Sequence, residues 1–392
     1  MDIPKVQSVL RESKTPAWLL YSFFGSNPVA LDFLGLSHLH LSRRFAYLIP
    51  AQGEPTLIVH AIEQSTYPPL PGQKRVFHSL ESFKAALQEV VAPYGRVAME
   101  YQPGGSIPYL SRVDAGTIEL LRGVGLEVVS SAEILLQFQT WSAEALASHK
   151  RAAQGIEAAI RRALDFIRSR ITDPPSELEV QAEISKVFEA RGLVFDHPAM
   201  VDFGPHAANP HHTPDATRLE RGQVVLIDLW CKEPGGPYAD VTWMAGWDVP
   251  QEVHQAFAVV TKARDQAVEY VAQAYREGRH PKGFEVDQVA REVLEGAGFG
   301  AYILHRTGHN LGFSATHGNG THLDGLETHD TRPLIPGLAF TVEPGIYPQD
   351  IASATGRDGS LGPWGLRSEI NVYLHESGPE ITTGVQREID RL

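Results

Sequence analysis

The first 136 residues alternate short apolar runs with amphipathic stretches, and Gly or Pro residues close most of the runs. The apolar runs are rich in β-branched and aromatic residues, as in strands. They lie at residues 17–24, 45–49, 56–59 and 97–99. Residues 81–91 instead repeat apolar positions at helical spacing. Alternation of strands and helices predicts an α/β domain over residues 1–136.

From Thr140 onward the pattern changes to longer amphipathic stretches separated by short apolar segments. Ser142 can cap the first predicted helix, and Ser176 with Glu179 forms a capping box that starts the second. The predicted helices cover residues 144–170, 176–191, 250–276 and 286–294. We therefore predict a second domain over residues 137–392, in which strands alternate with helices.

Length and charge narrow the class of protein. A chain of 392 residues with 43% hydrophobic and 21% charged residues is typical of a globular protein of two domains. The formal charge of −13 argues against a nucleic-acid or anionic-membrane partner. The N-terminal residues do not resemble a signal peptide, so the expected location is the cytoplasm. Cys231 is the single cysteine, and we interpret it as structural.

Four carboxylates and one histidine lie in short segments that resemble strands or tight turns. They are Asp228, Asp240, His309, Glu343 and Glu369. An unpaired charge in such an apolar segment would be costly to bury. Carboxylates brought close together also repel one another, and a pair of divalent cations would neutralise them. The pattern therefore predicts a metal site with two ions.

The ligand types restrict the metal and the reaction. Oxygen ligands with one imidazole and no thiolate suit hard or borderline ions, so we expect manganese, with cobalt or zinc as alternatives. Two such ions typically hold a shared water or hydroxide that attacks a carbonyl or phosphoryl centre. Hydrolysis is the reaction that this site predicts.

The order of these residues and their flanking motifs resemble a known superfamily. The motifs are Thr-Gly-His-Asn-Leu-Gly around His309, Thr-Val-Glu-Pro-Gly-Ile-Tyr around Glu343 and Arg-Ser-Glu before Ile370. They are similar to those of prolidase, proline aminopeptidase and methionine aminopeptidase, the metallopeptidases of the pita-bread fold. The resemblance implies a creatinase-type α/β N-terminal domain followed by a pita-bread (α+β) catalytic domain. A curved antiparallel sheet backed by helices is expected in the latter.

The resemblance also implies a role for each ligand. Asp228 would hold one metal ion, and His309 and Glu343 would hold the other. Asp240 and Glu369 would bridge both ions. Glu343 would in addition carry the proton from the attacking water to the leaving nitrogen.

Three further histidines are candidates for catalysis or substrate binding. His211 would contact the scissile region, and its neighbour His212 is the alternative. His317 would be the second active-site histidine, although its spacing from His309 is one residue longer than is usual in the superfamily. His305 is a further candidate for substrate binding. Asp228 and Asp240 are likewise one residue further apart than usual, and loops tolerate such insertions.

Two arginines complete the predicted site. Arg367 should share a strand face with Glu369 and Asn371, because residues two apart in a strand point to one side. It would orient ligand carboxylates or meet a substrate carboxylate, the remaining alternative being a surface salt bridge. Arg332 is a candidate for binding the substrate carboxylate.

The predicted function is that of a metal-dependent Xaa-Pro dipeptidase, or prolidase, acting on small peptides. The alternative is an Xaa-Pro aminopeptidase acting on longer peptides. An amidinohydrolase or a non-catalytic binding protein of the same fold is less compatible with five intact ligands. Superfamily members commonly dimerise, so a homodimer is expected, and Arg43 and Arg44 could cap the pocket of a partner subunit.

Overall fold

The computed structural model describes residues 1–348 and 363–392. It contains two compact units, Met1–Phe138 and Gln139–Leu392. The division thus lies between residues 138 and 139, whereas the sequence placed it between 136 and 137. Within the described ranges, no helix is both long and apolar enough to cross a membrane.

The N-terminal unit is a six-stranded mixed sheet with helices, as the alternating pattern predicted. Its strands follow the order β4-β3-β2-β1-β5-β6 in the sheet. The strands are β1 Ala17–Ser22, β2 Phe45–Pro50, β3 Thr56–His60, β4 Gln73–Phe77, β5 Arg96–Met99 and β6 Glu127–Ser130. The helices are α1 Ile3–Glu12, α2 Pro28–Leu34, α3 Leu80–Val91, α4 Ala115–Gly123 and α5 Ala132–Leu136. Every residue of β1 and β2 is buried, because apolar side chains cover both faces of the sheet.

The described residues of the C-terminal unit form the four predicted helices and nine shorter strands. Its helices are α6 Ala143–Ser169, α7 Glu177–Ala190, α8 Gln251–Arg276 and α9 Gly283–Gly296. The first strands are β7 Met200–Phe203, β8 Val224–Cys231, β9 Ala239–Gly246, β10 Ala339–Val342 and β11 Gly345–Ile346. The remaining strands are β12 Leu366–Arg367, β13 Ile370–His375, β14 Gly378–Ile381 and β15 Asp390–Arg391.

These strands form three small sheets in the described part of the unit. Strands β7, β8 and β9 are antiparallel, and β15 joins β9 in parallel. A second sheet has the order β10-β13-β14, and β11 pairs with β12. The side chain of Asn371 in β13 links the first two sheets, since it hydrogen-bonds both the backbone N–H and the carbonyl of Asp240 in β9, at 3.0 and 2.5 Å. The predicted antiparallel sheet is thus divided, with a side-chain amide at the junction.

One face of strand β8 packs against the core of this unit, and the other face points away from it. Val225, Ile227, Leu229 and Cys231 of β8 pack with α6 and α7 in one apolar cluster. Because successive side chains of a strand point to opposite faces, Asp228 points away from that cluster. Cys231 is buried in the core, which confirms its structural interpretation.

The capping box at the start of α7 generates a stability prediction. The hydroxyl of Ser176 accepts from the Glu179 N–H at 3.3 Å, and the Glu179 carboxylate accepts from the Ser176 N–H at 2.8 Å. Replacement Ser176→Ala should therefore lower the free energy of unfolding by about 1 kcal/mol. Ser185→Ala, in the interior of the same helix, is the matched control and should change it by less than about 0.5 kcal/mol. Equal urea midpoints for both variants would contradict the assigned cap.

Candidate metal centre

A cavity of about 480 Å³ in the C-terminal unit collects most of the predicted site residues. Nine of the ten line it, and Arg332 does not. The nine are His211, Asp228, Asp240, His305, His309, His317, Glu343, Arg367 and Glu369. Side chains that are separated by more than 150 positions in the sequence therefore meet in one place.

The hairpin of β8 and β9 brings the two aspartates together. Asp228 pairs with Thr242, and Asp240 pairs with Trp230, so the two carboxylates are diagonal neighbours on one face. The Thr242 hydroxyl lies 3.3 Å from Asp228 and donates to Glu369 at 2.8 Å. The pairing register of β8 and β9, and not the length of the loop between them, sets the positions of the two aspartates. Both therefore line the cavity although they are one residue further apart in sequence than expected.

Backbone pairing between residues 307–311 and β10 places His309 and Glu343. The Thr341 N–H donates to the His309 carbonyl at 2.9 Å, and the Glu343 N–H donates to the Thr307 carbonyl at 2.7 Å. Gly308 permits this approach, because a Cβ atom there would lie 2.0 Å from the Thr341 carbonyl oxygen. The Thr341 hydroxyl then accepts from the His309 N–H and donates to Glu343 at 2.9 and 3.0 Å.

The lone pairs of three side chains converge on one small volume. One ligand atom each of Asp240, His309 and Glu369 lie within 4.8 Å of one another. The Asn310 carbonyl lies 3.1 Å from Nδ1 of His309, and because a carbonyl only accepts, Nδ1 carries the proton. Nε2 therefore presents a lone pair to carboxylate oxygens of Asp240 and Glu343, at 3.4 and 3.5 Å. A cation between these atoms would satisfy all of them.

Two carboxylate oxygens strengthen this conclusion. Oδ1 of Asp240 and Oε1 of Glu369 are buried and have no hydrogen-bond partner among the described residues. Burial raises the pKa of Asp240 to about 7, and burial together with Asp240 raises the pKa of Glu369 well above its ordinary value. Without a bound cation, protons would thus neutralise these two carboxylates. The oxygen-rich donor set with one imidazole fits a divalent cation.

Arg367 contacts the carboxylates of the site, and its burial excludes a surface salt bridge. It is 6% exposed. Its guanidinium forms an ion pair with Asp228, donates to Thr242 at 2.6 Å and lies 4.0 Å from Glu343. Burial opposes ionisation of Glu343, but His309, Arg367 and His305 together lower its pKa. Glu343 is therefore a carboxylate that can accept a proton.

His211 lies on the cavity wall, whereas its neighbour His212 turns away from it. Nε2 of His212 lies 3.0 Å from the buried carboxylate of Glu177. The geometry thus favours His211 over His212 for substrate contact.

His317 and His305 also line the cavity, but they differ in how many of their ring nitrogens are already hydrogen-bonded. The ring of His317 lies 3.9 Å from that of His309, and its Nδ1 accepts from Arg306 at 3.2 Å, so Nε2 of His317 carries the proton. Nδ1 of His305 donates to the Arg306 carbonyl at 2.7 Å, and its Nε2 accepts from the Tyr347 hydroxyl at 2.7 Å. Both nitrogens of His305 are therefore occupied, which leaves only its ring face for a substrate.

The expected substrate contact of Arg332 needs correction. Its side chain is 2% exposed, and it forms a 2.6 Å ion pair with Asp330. The guanidinium also donates to the carbonyls of Asn319 and Gly320, at 2.7 and 2.6 Å. Arg332 thus stabilises the loop that follows His317, and it does not reach the cavity. Its position in the sequence gave no sign of these backbone partners.

Several residues of the site were missed by sequence reasoning. Thr242 connects Asp228, Glu369 and Arg367, and Arg306 lines the cavity beside His317. The alternation of β9 could have identified Thr242, because it lies two residues after Asp240. Arg306 could have been considered because it lies three residues before His309.

Known proteins resemble this chain in sequence and in fold. A profile of metallopeptidase family M24 matches residues 147–376. An uncharacterized peptidase of Staphylococcus epidermidis is 25% identical over 98% of this chain and 99% of its own. The dipeptidase PepE of Mycobacterium ulcerans aligns with a TM-score of 0.73 and 22% identity, over 99% and 96% of the two chains. The prolidase of Pyrococcus horikoshii aligns with a TM-score of 0.65 and 22% identity, over 99% of each chain. These likenesses confirm the predicted pita-bread fold.

The raised pKa of Asp240 predicts how metal-free protein responds to pH. Between about pH 4 and pH 7 the folded state keeps a proton that the unfolded chain releases, so stability should fall as pH rises through this interval. Asp240 alone should contribute on the order of 2 kcal/mol to the stability that the chelated protein loses between pH 5 and pH 8 in urea unfolding, and the raised pKa values of Glu369 and Asp202 should add to that loss. Added Mn²⁺ should restore more stability at pH 8 than at pH 5. Asp240→Asn is the control, and an unchanged pH difference in that variant would contradict the assignment.

Proposed function

The chain belongs to metallopeptidase family M24, and on that premise we propose that it hydrolyses the peptide bond before proline, with Xaa-Pro dipeptides as substrates. The observation that carries the proposal is the convergence of the lone pairs of three buried side chains, Asp240, His309 and Glu369, at the cavity. The likeness to proteins described as a dipeptidase and a prolidase supports the choice of substrate.

The proposed enzyme holds two divalent metal ions, with manganese expected and cobalt or zinc as alternatives. Asp228, Asp240, His309, Glu343 and Glu369 are the residues that would hold these ions. When bound, such ions polarise the scissile carbonyl and make water a stronger nucleophile at neutral pH.

The side chains around the metal ligands supply proton transfer and orientation. The Glu343 carboxylate accepts the proton of the attacking water and returns it to the leaving proline nitrogen. His211 contacts the scissile region from the cavity wall. His317, with its proton on Nε2, can donate to a substrate oxygen. Arg367 holds the carboxylate of Asp228 in place.

Arg306 is the cation that we assign to the free carboxylate of a dipeptide. It lines the cavity, and its nearest carboxylates, Asp324 and Glu327, lie at 3.7 and 3.8 Å. Those distances are longer than in a close ion pair, which leaves donor capacity on the guanidinium. Arg332, the candidate from the sequence, is buried elsewhere.

The homodimer and the role of Arg43 and Arg44 stay predictions. In the N-terminal unit the Arg44 guanidinium lies 4.7 Å from the centroid of the Phe23 ring. Arg43 donates to the Ser42 hydroxyl at 3.0 Å. Both arginines line a small cavity of that unit.

The proposed activity is tested with a substrate panel. Chelated protein should be inactive, and Mn²⁺, Co²⁺ or Zn²⁺ should restore hydrolysis of Xaa-Pro dipeptides by more than about 100-fold. Glu343→Gln should lower the restored kcat by about 10²–10⁴-fold, because the variant loses its proton carrier. Restored cleavage of Xaa-Pro-Xaa tripeptides instead would indicate an aminopeptidase. Inactivity with every metal would overturn the proposal in favour of an amidinohydrolase or a binding protein.

Substitution of Arg306 tests the preference for dipeptides. Arg306→Ala should raise KM for dipeptides by at least about 10-fold, since a charge-assisted hydrogen bond contributes about 1.5–3 kcal/mol. Tripeptides, whose carboxylate lies further from the scissile bond, should change by less than about twofold. Arg279→Ala removes an exposed arginine that is paired with Glu277, and it serves as the matched control. Equal losses for dipeptides and tripeptides would remove Arg306 from carboxylate binding.

A further inference from the structure

Helix α7 begins with a buried glutamate that the proposed mechanism does not use. Glu177 is 0% exposed. Its Oε1 accepts from the Phe203 N–H at 2.8 Å and lies 2.8 Å from Nδ1 of His206. Its Oε2 accepts from the Asp215 N–H at 3.0 Å and lies 3.0 Å from Nε2 of His212. One carboxylate therefore has four partners, two on each oxygen, which fills its usual capacity.

All four partners belong to one segment, residues 203–215, which we call the His211 segment. Phe203 ends strand β7 at the start of the segment, and Asp215 lies at its other end. The first N–H groups of α7 add to this attachment, because those of Glu177 and Leu178 donate to the carbonyls of Thr217 and Asp215, at 3.1 and 3.2 Å. Both ends of the segment are thus fixed to one helix start.

Between these ends a tight turn directs His211 towards the cavity. The His212 N–H donates to the Asn209 carbonyl at 3.0 Å, and the Asn209 side chain accepts from the His211 N–H at 3.1 Å. Pro210 occupies the second turn position, which its fixed φ favours. The His212 ring is held by Glu177, whereas Pro210 and His211 line the cavity. The orientation of His211 therefore depends on the contacts of its neighbour.

We propose that Glu177 is a positioning residue that holds His211 against the substrate. It acts through the His211 segment and touches neither the substrate nor the metal ligands. This inference rests on the proposed function, in which His211 contacts the scissile region. A sheet-borne ligand needs no such support, but a side chain at the tip of a turn does, because loops lack the ladder of a strand.

A metal ion is the competing occupant of this cluster. Ligand atoms of Glu177, His206, His212 and Asp215 lie within 4.8 Å of one another. Two observations favour hydrogen bonding instead. Each Glu177 oxygen already accepts a backbone N–H. Nδ1 of His206 and Nε2 of His212 in addition each lie at hydrogen-bond distance from one Glu177 oxygen, at 2.8 and 3.0 Å, so hydrogen bonds already use the atoms that a metal would need.

A double-mutant cycle on the metal-loaded enzyme tests the proposal. Glu177→Gln should lower kcat/KM by about 10-fold or more in the parent enzyme, mainly through kcat, because a misplaced group costs rate more than binding. In the His211→Ala background the same change should cost less than about twofold, since the group that it positions is already absent. Equal factors in both backgrounds would overturn the proposal.

Glu183→Gln is the matched control. Glu183 lies on the same helix, is 8% exposed and pairs with Arg162 and Lys186, both of which lie outside the His211 segment. Its kcat/KM should stay within about twofold of the parent.

Because Glu177→Gln could impair folding, His212→Ala provides a milder variant with one partner removed. His212→Ala should lower kcat/KM by less than Glu177→Gln does, and this decrease should also disappear in the His211→Ala background. A decrease that persists in that background would count against the proposal.

Two further measurements distinguish a positioning role of Glu177 from failure of the proposed activity and from a metal site at this cluster. Hydrogen exchange of backbone amides in residues 203–215 should accelerate at least about 10-fold in Glu177→Gln and not in Glu183→Gln, whether or not any peptide is cleaved. Unchanged exchange would overturn the positioning role even in an active enzyme. Bound metal per chain, measured by elemental analysis, should be equal in the parent and Glu177→Gln. Loss of one zinc or manganese ion in the variant would establish the cluster as a metal site instead.

Discussion

The structure of the C-terminal unit depends on the cost of placing like charges together in a buried cavity. Asp228, Asp240, Glu343 and Glu369 face one volume, and Arg367 is the guanidinium that pairs directly with this group. One positive charge cannot balance four carboxylates. The raised pKa values of Asp240 and Glu369, the two residues with unpartnered oxygens, mark where positive charge is missing. A divalent cation at that point would supply the missing charge, and the fold already brings candidate ligand atoms to within 4.8 Å of one another.

Short-range regularities explain why much of this site could be predicted. A strand alternates its faces, so a carboxylate within an apolar run such as that around Asp228 must point to a functional face. Capping signals at Ser142 and Ser176 located α6 and α7 to within about one residue. The longer spacing from Asp228 to Asp240 did not invalidate the prediction that they share a site, since the cross-strand register sets the distance between their side chains.

Contacts between distant segments explain what the sequence could not predict. Arg332 looked available for a substrate, but its partners are backbone carbonyls of residues 319 and 320, which no local pattern displays. Glu177 looked like an ordinary first-turn residue of a helix. Its four hydrogen bonds depend on the return path of residues 203–215. The link between the two parts of the predicted sheet likewise depends on a distant contact, in which the side-chain amide of Asn371 hydrogen-bonds the backbone of Asp240.

The molecule thus separates two kinds of functional group by the way each is held. The proposed metal ligands lie on strands or beside them, where backbone ladders fix their positions, whereas His211 lies on a turn that the Glu177 carboxylate is proposed to hold. Asp202 lies between the two systems, on the cavity face of β7 opposite Leu226. Burial and the charges of Glu177 and Asp228 raise its pKa to about 8, so it is protonated at neutral pH. A neutral Asp202 adds no negative charge between Glu177 and the proposed metal ligands. Glu177, which accepts from Phe203 of β7, and Asp228, which pairs with Met200 of β7, can therefore adjoin the same strand.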